Sequence, residues 1–123
     1  MSRILIVEDE PKMIETIQRA LKPLGYPLDA ARNGNQALKL IDRTDYGLLV
    51  TDLMMPERTG FDLLEALHQR GSKIPVIVCS AFVTPDALKG LGRGLLVEVV
   101  PKPFKSEILA AAAKKLIEPP PEK

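Results

Sequence analysis

Chemically reactive side chains follow four apolar runs of the sequence, at the point where each run ends. Glu8 and Asp9 follow the first run, Asp52 follows the second, and Ser80 and Lys102 follow two later ones. If these runs are parallel strands, their carboxyl ends share one edge of a sheet, where functional groups collect. Three carboxylates at one edge would repel one another, so at least one would have a raised pKa unless a cation intervened.

A phosphoryl-transfer site is the chemistry that this set of residues suits best. Carboxylate oxygens, together with water and a carbonyl oxygen, are ligands for Mg²⁺, which would relieve the repulsion. Lys102 adds a fixed positive charge, and Ser80 adds a hydroxyl donor. Phosphoryl transfer needs an oxygen nucleophile and stabilisation of the equatorial oxygens, and an aspartyl phosphate is an established type of intermediate. We therefore interpret one of the three carboxylates as the nucleophile.

The order of strand and helix patterns predicts an α/β fold. Apolar runs without polar alternation, typical of strands covered on both faces, occupy residues 4–7, 48–50, 76–78 and 95–100, with a weaker strand at 28–31. Helical spacing of apolar residues follows Pro11, Asn33-Gly34, Gly60, Thr84-Pro85 and Ser106. Five alternations require a parallel, doubly wound sheet with right-handed crossovers. The flavodoxin-like (βα)5 order 2-1-3-4-5 suits the length.

Composition favours one domain in a reducing compartment. The 123 residues are 46% hydrophobic, and the net charge of +1 is mixed along the chain. We therefore expect neither nucleic-acid nor membrane binding by this domain. The single cysteine forms no internal disulfide, and no apolar stretch approaches the about 18 residues of a membrane span. We expect a cytoplasmic domain over residues 1–118, with a proline-rich tail or linker start at 119–123.

Five motifs in the chain resemble those of one known family. They are Val7-Glu8-Asp9-Glu10, Thr51-Asp52-Leu53-Met54-Met55-Pro56, Gly60-Phe61, Cys79-Ser80-Ala81 and Pro101-Lys102-Pro103-Phe104. Their order and spacing resemble the receiver domains of two-component response regulators, including the chemotaxis regulators. Each motif is weak alone, but together they are highly specific and span essentially the whole chain.

The resemblance implies a role for each candidate site residue. Asp52 would accept a phosphoryl group from a partner's phosphohistidine. Asp9 would bind Mg²⁺ directly and Glu8 through water, and the backbone carbonyl of Met54 would be a further ligand. Ser80 would hydrogen-bond the phosphoryl group. Lys102 would pair with a phosphoryl oxygen, or with Asp52 before phosphorylation, and the peptide bond that follows Lys102 would be cis.

The resemblance also implies partners. A sensor histidine kinase or a phosphotransfer protein would donate the phosphoryl group, and a protein effector or a C-terminal output domain would respond to it. The predicted fourth helix, fifth strand and fifth helix would form a surface for homodimers or partners. Beyond transfer onto itself and slow autodephosphorylation, the domain would turn over no separate substrate.

Two alternative functions stay open, and one departure from the family pattern bears on the first. Val99 occupies a position where receivers usually carry an aromatic residue that turns inward on activation. A receiver-like module that binds partners without phosphorylation is therefore an alternative. A phosphatase with an aspartyl nucleophile is a second one, but such enzymes usually place an acid two residues after the nucleophile, and that residue is Met54.

In receivers, the positions of Met54 and Phe82 flank the route of attacking water, and both side chains are bulky and apolar here. We therefore predict a long lifetime for the phosphorylated protein. Replacing both with small polar residues should shorten the lifetime of the phosphorylated protein. The lifetime can be followed by intact mass after removal of the phosphoryl donor. Unchanged lifetimes in the double variant would contradict this interpretation.

Overall fold

The fold is a five-stranded parallel sheet with helices on both faces. The computed structural model describes residues 3–52, 60–80 and 97–117, and each structural statement below concerns these ranges. The strands are β1 (Ile4–Val7), β2 (Leu28–Ala31), β3 (Leu48–Thr51), β4 (Val76–Ser80) and β5 (Val97–Pro101). The helices are α1 (Pro11–Leu21), a 3-10 turn (Lys22–Leu24), α2 (Gly34–Arg43), α3 (Gly60–Gln69) and α4 (Ser106–Ile117).

The strand order β2-β1-β3-β4-β5 confirms the predicted flavodoxin-like topology. The weak strand predicted at 28–31 is present and pairs in parallel with β1. The helix predicted to begin at Thr84 lies outside the described residues, as do the first two residues predicted for the fifth strand. Our statements about that helix therefore remain predictions.

Two apolar layers cover the sheet, because successive side chains of a strand point to opposite faces. In β1, Ile4 and Ile6 pack with α1 and α4, whereas Leu5 and Val7 pack with α2 and α3. The side chains of β1 and β3 are almost completely buried. This explains why their sequences show no polar alternation.

Local signals set the starts of α1 and α2. Pro11 is the first residue of α1, where its missing N–H costs no helical hydrogen bond. Asn33 caps α2 by accepting a hydrogen bond from the Gln36 N–H at 2.9 Å. Gln36 in turn accepts a hydrogen bond from the backbone N–H of Arg32 at 2.8 Å. These two hydrogen bonds hold the turn that follows β2.

An ion pair and a phenol connect the strands at the amino-terminal edge of the sheet. Arg3 donates two hydrogen bonds to Asp29, at 2.9 and 3.1 Å, and the Tyr46 hydroxyl donates a third at 2.8 Å. The hydrogen bond from Arg3 holds the pKa of Asp29 below its ordinary value, although partial burial opposes this. The polar contacts at this edge are therefore structural and lie opposite the predicted site.

No helix in the described part of the chain has both the length and the apolar character that crossing a bilayer would require.

The central position of β1 predicts a large cost for truncating its core side chains. Leu5 is 0% exposed, so Leu5→Ala should lower the free energy of unfolding by about 2–5 kcal/mol through lost burial and a cavity. Ile108 in α4 is 56% exposed, and Ile108→Ala should change it by no more than about 0.5 kcal/mol. Urea denaturation of both variants checks this, and equal effects would contradict the assignment of the core.

Candidate functional site

The carboxylates converge because the strands that carry them are neighbours. Val7 of β1 lies opposite Thr51 of β3, so the residues after these two positions are adjacent. The backbone N–H of Asp52 donates to the Val7 carbonyl at 3.1 Å, and that of Glu8 donates to the Ala31 carbonyl at 3.0 Å. The main chain therefore fixes both acidic residues at the carboxyl edge, with β1 between β2 and β3.

Glu8, Asp9 and Asp52 form a compact acidic cluster. One carboxylate oxygen from each residue lies within 4.8 Å of the others. Glu8 is buried, whereas Asp9 and Asp52 are partly exposed. The cluster therefore opens to solvent on one side and is closed on the other by the sheet.

Lys102 reaches this cluster from β5, across β4. Its ammonium Nζ lies 3.1 Å from Glu8 Oε2 and 3.1 Å from Asp52 Oδ2. The contact with Asp52 is one that the sequence analysis expected, whereas the contact with Glu8 was not anticipated. The Lys102–Pro103 peptide bond is cis, as the resemblance implied.

The electrostatics of the site reflect its burial. Burial raises the pKa of Glu8 to about 7, even though Lys102 acts to lower it. For Lys102, burial lowers the pKa, but the hydrogen bonds and ion pairs with Asp52 and Glu8 outweigh this and raise it above its ordinary value. The Lys102 ammonium is therefore held in its charged form, whereas burial favours the protonated form of Glu8.

The donor set fits a hard divalent cation. Three carboxylate oxygens in this spacing are ligands of the kind that Mg²⁺ accepts, and Asp9 and Asp52 retain access to solvent for coordinated water. Lys102 contacts Glu8 and Asp52 from the β5 side. The acidic cluster therefore meets the first requirement of the magnesium site that the sequence predicted.

The remaining predicted residues are only partly described. Ser80 ends β4 opposite Pro101, which places its backbone at the same edge of the sheet, immediately before Lys102 on the neighbouring strand. Its side chain and the whole of Met54 lie outside the described residues. Val99 pairs with Val78 and packs partly buried against the layer that contains α2 and α3.

Arg32 is a residue of this edge that the sequence analysis missed. Its Nη2 donates to the backbone carbonyl of Asp9 at 3.3 Å, and its side chain is exposed. Arg32 is the first residue after β2, so the rule that found the other site residues applies to it as well. The weakness of the β2 pattern concealed this position.

The fold and the acidic edge define a flavodoxin-like α/β protein with a candidate metal site at the reversal of strand order. Residues 4–114 match the response regulator receiver domain. The chain therefore belongs to the receiver-domain family of response regulators.

Relatives and solved structures agree with this assignment. The transcriptional regulatory protein DltR of Streptococcus agalactiae serotype III (strain NEM316) is 36% identical over 110 residues, covering 89% of this chain and 49% of DltR. The receiver domain of the Francisella response regulator 1452 has a TM-score of 0.85 at 29% identity, covering 95% and 97% of the two chains. The response regulator TrrA of Thermotoga maritima, solved with Mg²⁺–BeF, has a TM-score of 0.78 at 30% identity, covering 94% and 99%. The chain spans about half the length of the curated relatives it matches.

The raised pKa of Glu8 predicts a pH-dependent stability in magnesium-free buffer. An unfolded glutamate titrates near about 4.3, so the folded state binds more protons between that pH and the Glu8 pKa of about 7. Stability should therefore fall as pH rises through this interval, by up to about 1.4 kcal/mol per pH unit from this group. Urea denaturation from pH 5 to 7.5 should show a smaller decline for Glu8→Gln.

The exposed glutamate Glu65 on α3 offers a matched control, since Glu65→Gln removes a carboxylate far from the site. A Glu8→Gln profile that runs parallel to the wild-type profile would contradict the assignment of this proton to Glu8.

Proposed function

We propose that this domain accepts a phosphoryl group on Asp52, with Mg²⁺, from the phosphohistidine of a sensor kinase or phosphotransfer protein. The observation that supports this most directly is the Asp52 carboxylate, held 3.1 Å from the Lys102 ammonium beside Glu8 and Asp9. A nucleophilic carboxylate with fixed cationic support is what phosphoryl transfer requires.

In the transfer step, a carboxylate oxygen of Asp52 attacks phosphorus in line with the leaving nitrogen. The new P–O bond forms as the P–N bond breaks, and the nitrogen keeps the electron pair and takes up a proton. Lys102 pairs with a phosphoryl oxygen and neutralises the charge that accumulates there. The Ser80 hydroxyl donates to another phosphoryl oxygen.

Glu8, Asp9, Asp52 and the backbone carbonyl of Met54 would hold the Mg²⁺, with Glu8 acting through water. The bound ion supplies charge neutralisation for the phosphoryl oxygens. Support comes from the acidic cluster of this chain and from TrrA, whose structure contains Mg²⁺–BeF. With Mg²⁺ bound, the cation would favour the charged form of Glu8 and so oppose the effect of burial on its pKa.

Phosphorylation would change the surface that this domain presents to its partners in the cytoplasm. The curated relative DltR is named a transcriptional regulatory protein, and it is about twice as long as the matched region. The response would pass to a separate effector protein or to an output domain C-terminal to this one. The surface formed by β5 and α4, where α4 is the fifth helix predicted from the sequence, would serve for dimerisation or docking. The predicted helix that begins at Thr84 would belong to the same surface. The domain would release its phosphate slowly and turn over no separate substrate.

Intact mass after incubation with a small phosphoryl donor and Mg²⁺ tests the proposal. The wild type should gain one phosphoryl group, whereas Asp52→Asn should gain none, because the nucleophilic carboxylate is lost. Chelation of Mg²⁺ should abolish the adduct. Asp42→Asn, which removes an exposed carboxylate on α2, should be phosphorylated like the wild type. Absence of any adduct on the wild type would favour the binding-only module.

A further inference from the structure

Arg32 places a second cationic group beside the acidic cluster, on the side opposite Lys102. Lys102 reaches the cluster from β5, whereas Arg32 follows β2 and contacts the backbone carbonyl of Asp9. The carboxylate of the same residue, Asp9, has an oxygen that lies within 4.8 Å of carboxylate oxygens of Glu8 and Asp52. The two cations therefore flank the cluster from its two sides.

The side chains of Lys102 and Arg32 differ in how firmly their contacts hold them. The Lys102 side chain is 17% exposed and makes two ion pairs. The Arg32 side chain is exposed, and its hydrogen bond to the Asp9 carbonyl, at 3.3 Å, is longer than the usual about 2.9–3.0 Å. The backbone of Arg32 is nevertheless held, because its N–H donates to Gln36 at 2.8 Å. Arg32 therefore has a backbone that is held in place and a guanidinium that can easily exchange its hydrogen bond for one to a better acceptor.

The net charge of the phosphorylated site indicates which acceptor this guanidinium would bind. Three carboxylates, the Lys102 ammonium and a divalent cation sum to neutrality in the unphosphorylated site. An aspartyl phosphate carries about one more negative charge than the carboxylate it replaces. The phosphorylated site therefore has a surplus negative charge, and a guanidinium binds phosphoryl oxygens strongly through its planar array of donors.

We propose that Arg32 is a phosphoryl-binding residue of this domain, an inference that rests on the function proposed above. Its guanidinium exchanges the Asp9 carbonyl for phosphoryl oxygens, first on the incoming phosphohistidine and then on Asp52. Arg32 thereby favours the phosphorylated state over the unphosphorylated state. It contributes no ligand to the metal, and its positive charge opposes Mg²⁺ binding slightly.

Titration of Arg32→Gln first with Mg²⁺ alone and then with beryllofluoride at saturating Mg²⁺ tests this inference. Amide NMR shifts report both equilibria and show that the variant is folded. Beryllofluoride affinity should fall about twofold to fivefold, the range for an exposed charge pair, whereas Mg²⁺ affinity should stay equal or rise. Arg32→Lys, which keeps the charge, should recover part of the loss.

Arg19→Gln is the matched control, because it removes an equal charge from the last turn of α1, where Arg19 pairs with Glu15. This control should bind both probes like the wild type. Equal losses of Mg²⁺ and beryllofluoride affinity in Arg32→Gln would overturn the inference and leave Arg32 as a support of the Asp9 turn. Wild-type beryllofluoride affinity in Arg32→Gln, or a lysine variant as weak as the glutamine variant, would also overturn it. Failure of the wild-type protein itself to bind beryllofluoride would overturn the proposed function as well.

Discussion

Repulsion among three carboxylates at one edge of the sheet is the constraint on which this site depends. Glu8 is 2% exposed, and its burial raises its pKa to about 7 even though Lys102 acts to lower it, so burial opposes the charged form of this carboxylate. Lys102 supplies a partial counter-charge from the end of β5, which is two places away from β3 in the sheet. The acidic residues and their cation come together only when β3, β4 and β5 are all paired, so the electrostatics of the site depend on the assembled sheet.

The central strands of the sheet are buried on both faces, which suits them to position a site. Each residue of β1 and β3 is buried, and apolar layers pack against both faces. Functional groups placed on such elements keep their positions when a charge is added or removed. The candidate site residues follow the carboxyl ends of the strands, whereas the amino-terminal edge, with Arg3, Asp29 and Tyr46, carries a structural ion pair.

Much of the fold was predictable from local sequence patterns. Continuous apolar runs identified β1, β3 and β4 because strands covered on both faces tolerate no polar alternation, and Pro11 marked the start of α1. The mixed sequence of β2, with Asp29 in its centre, was a weak signal because this edge strand is only partly buried. The strand order came from the chain length and from analogy with flavodoxin-like folds, since alternation alone is compatible with more than one order.

The residue types and the strand ends of the site were determined by the sequence alone: Glu8, Asp9, Asp52 and Lys102 lie where parallel strands would place them. Only the tertiary structure decided that Lys102 pairs with Glu8 as well as with Asp52, that Glu8 is the buried member, and that Arg32 reaches the Asp9 carbonyl. The physical reason is the separation along the chain between the residues that make each contact. Strand and helix patterns are local, whereas these contacts join residues 23 to 94 positions apart and depend on register, side-chain conformation and the exclusion of water.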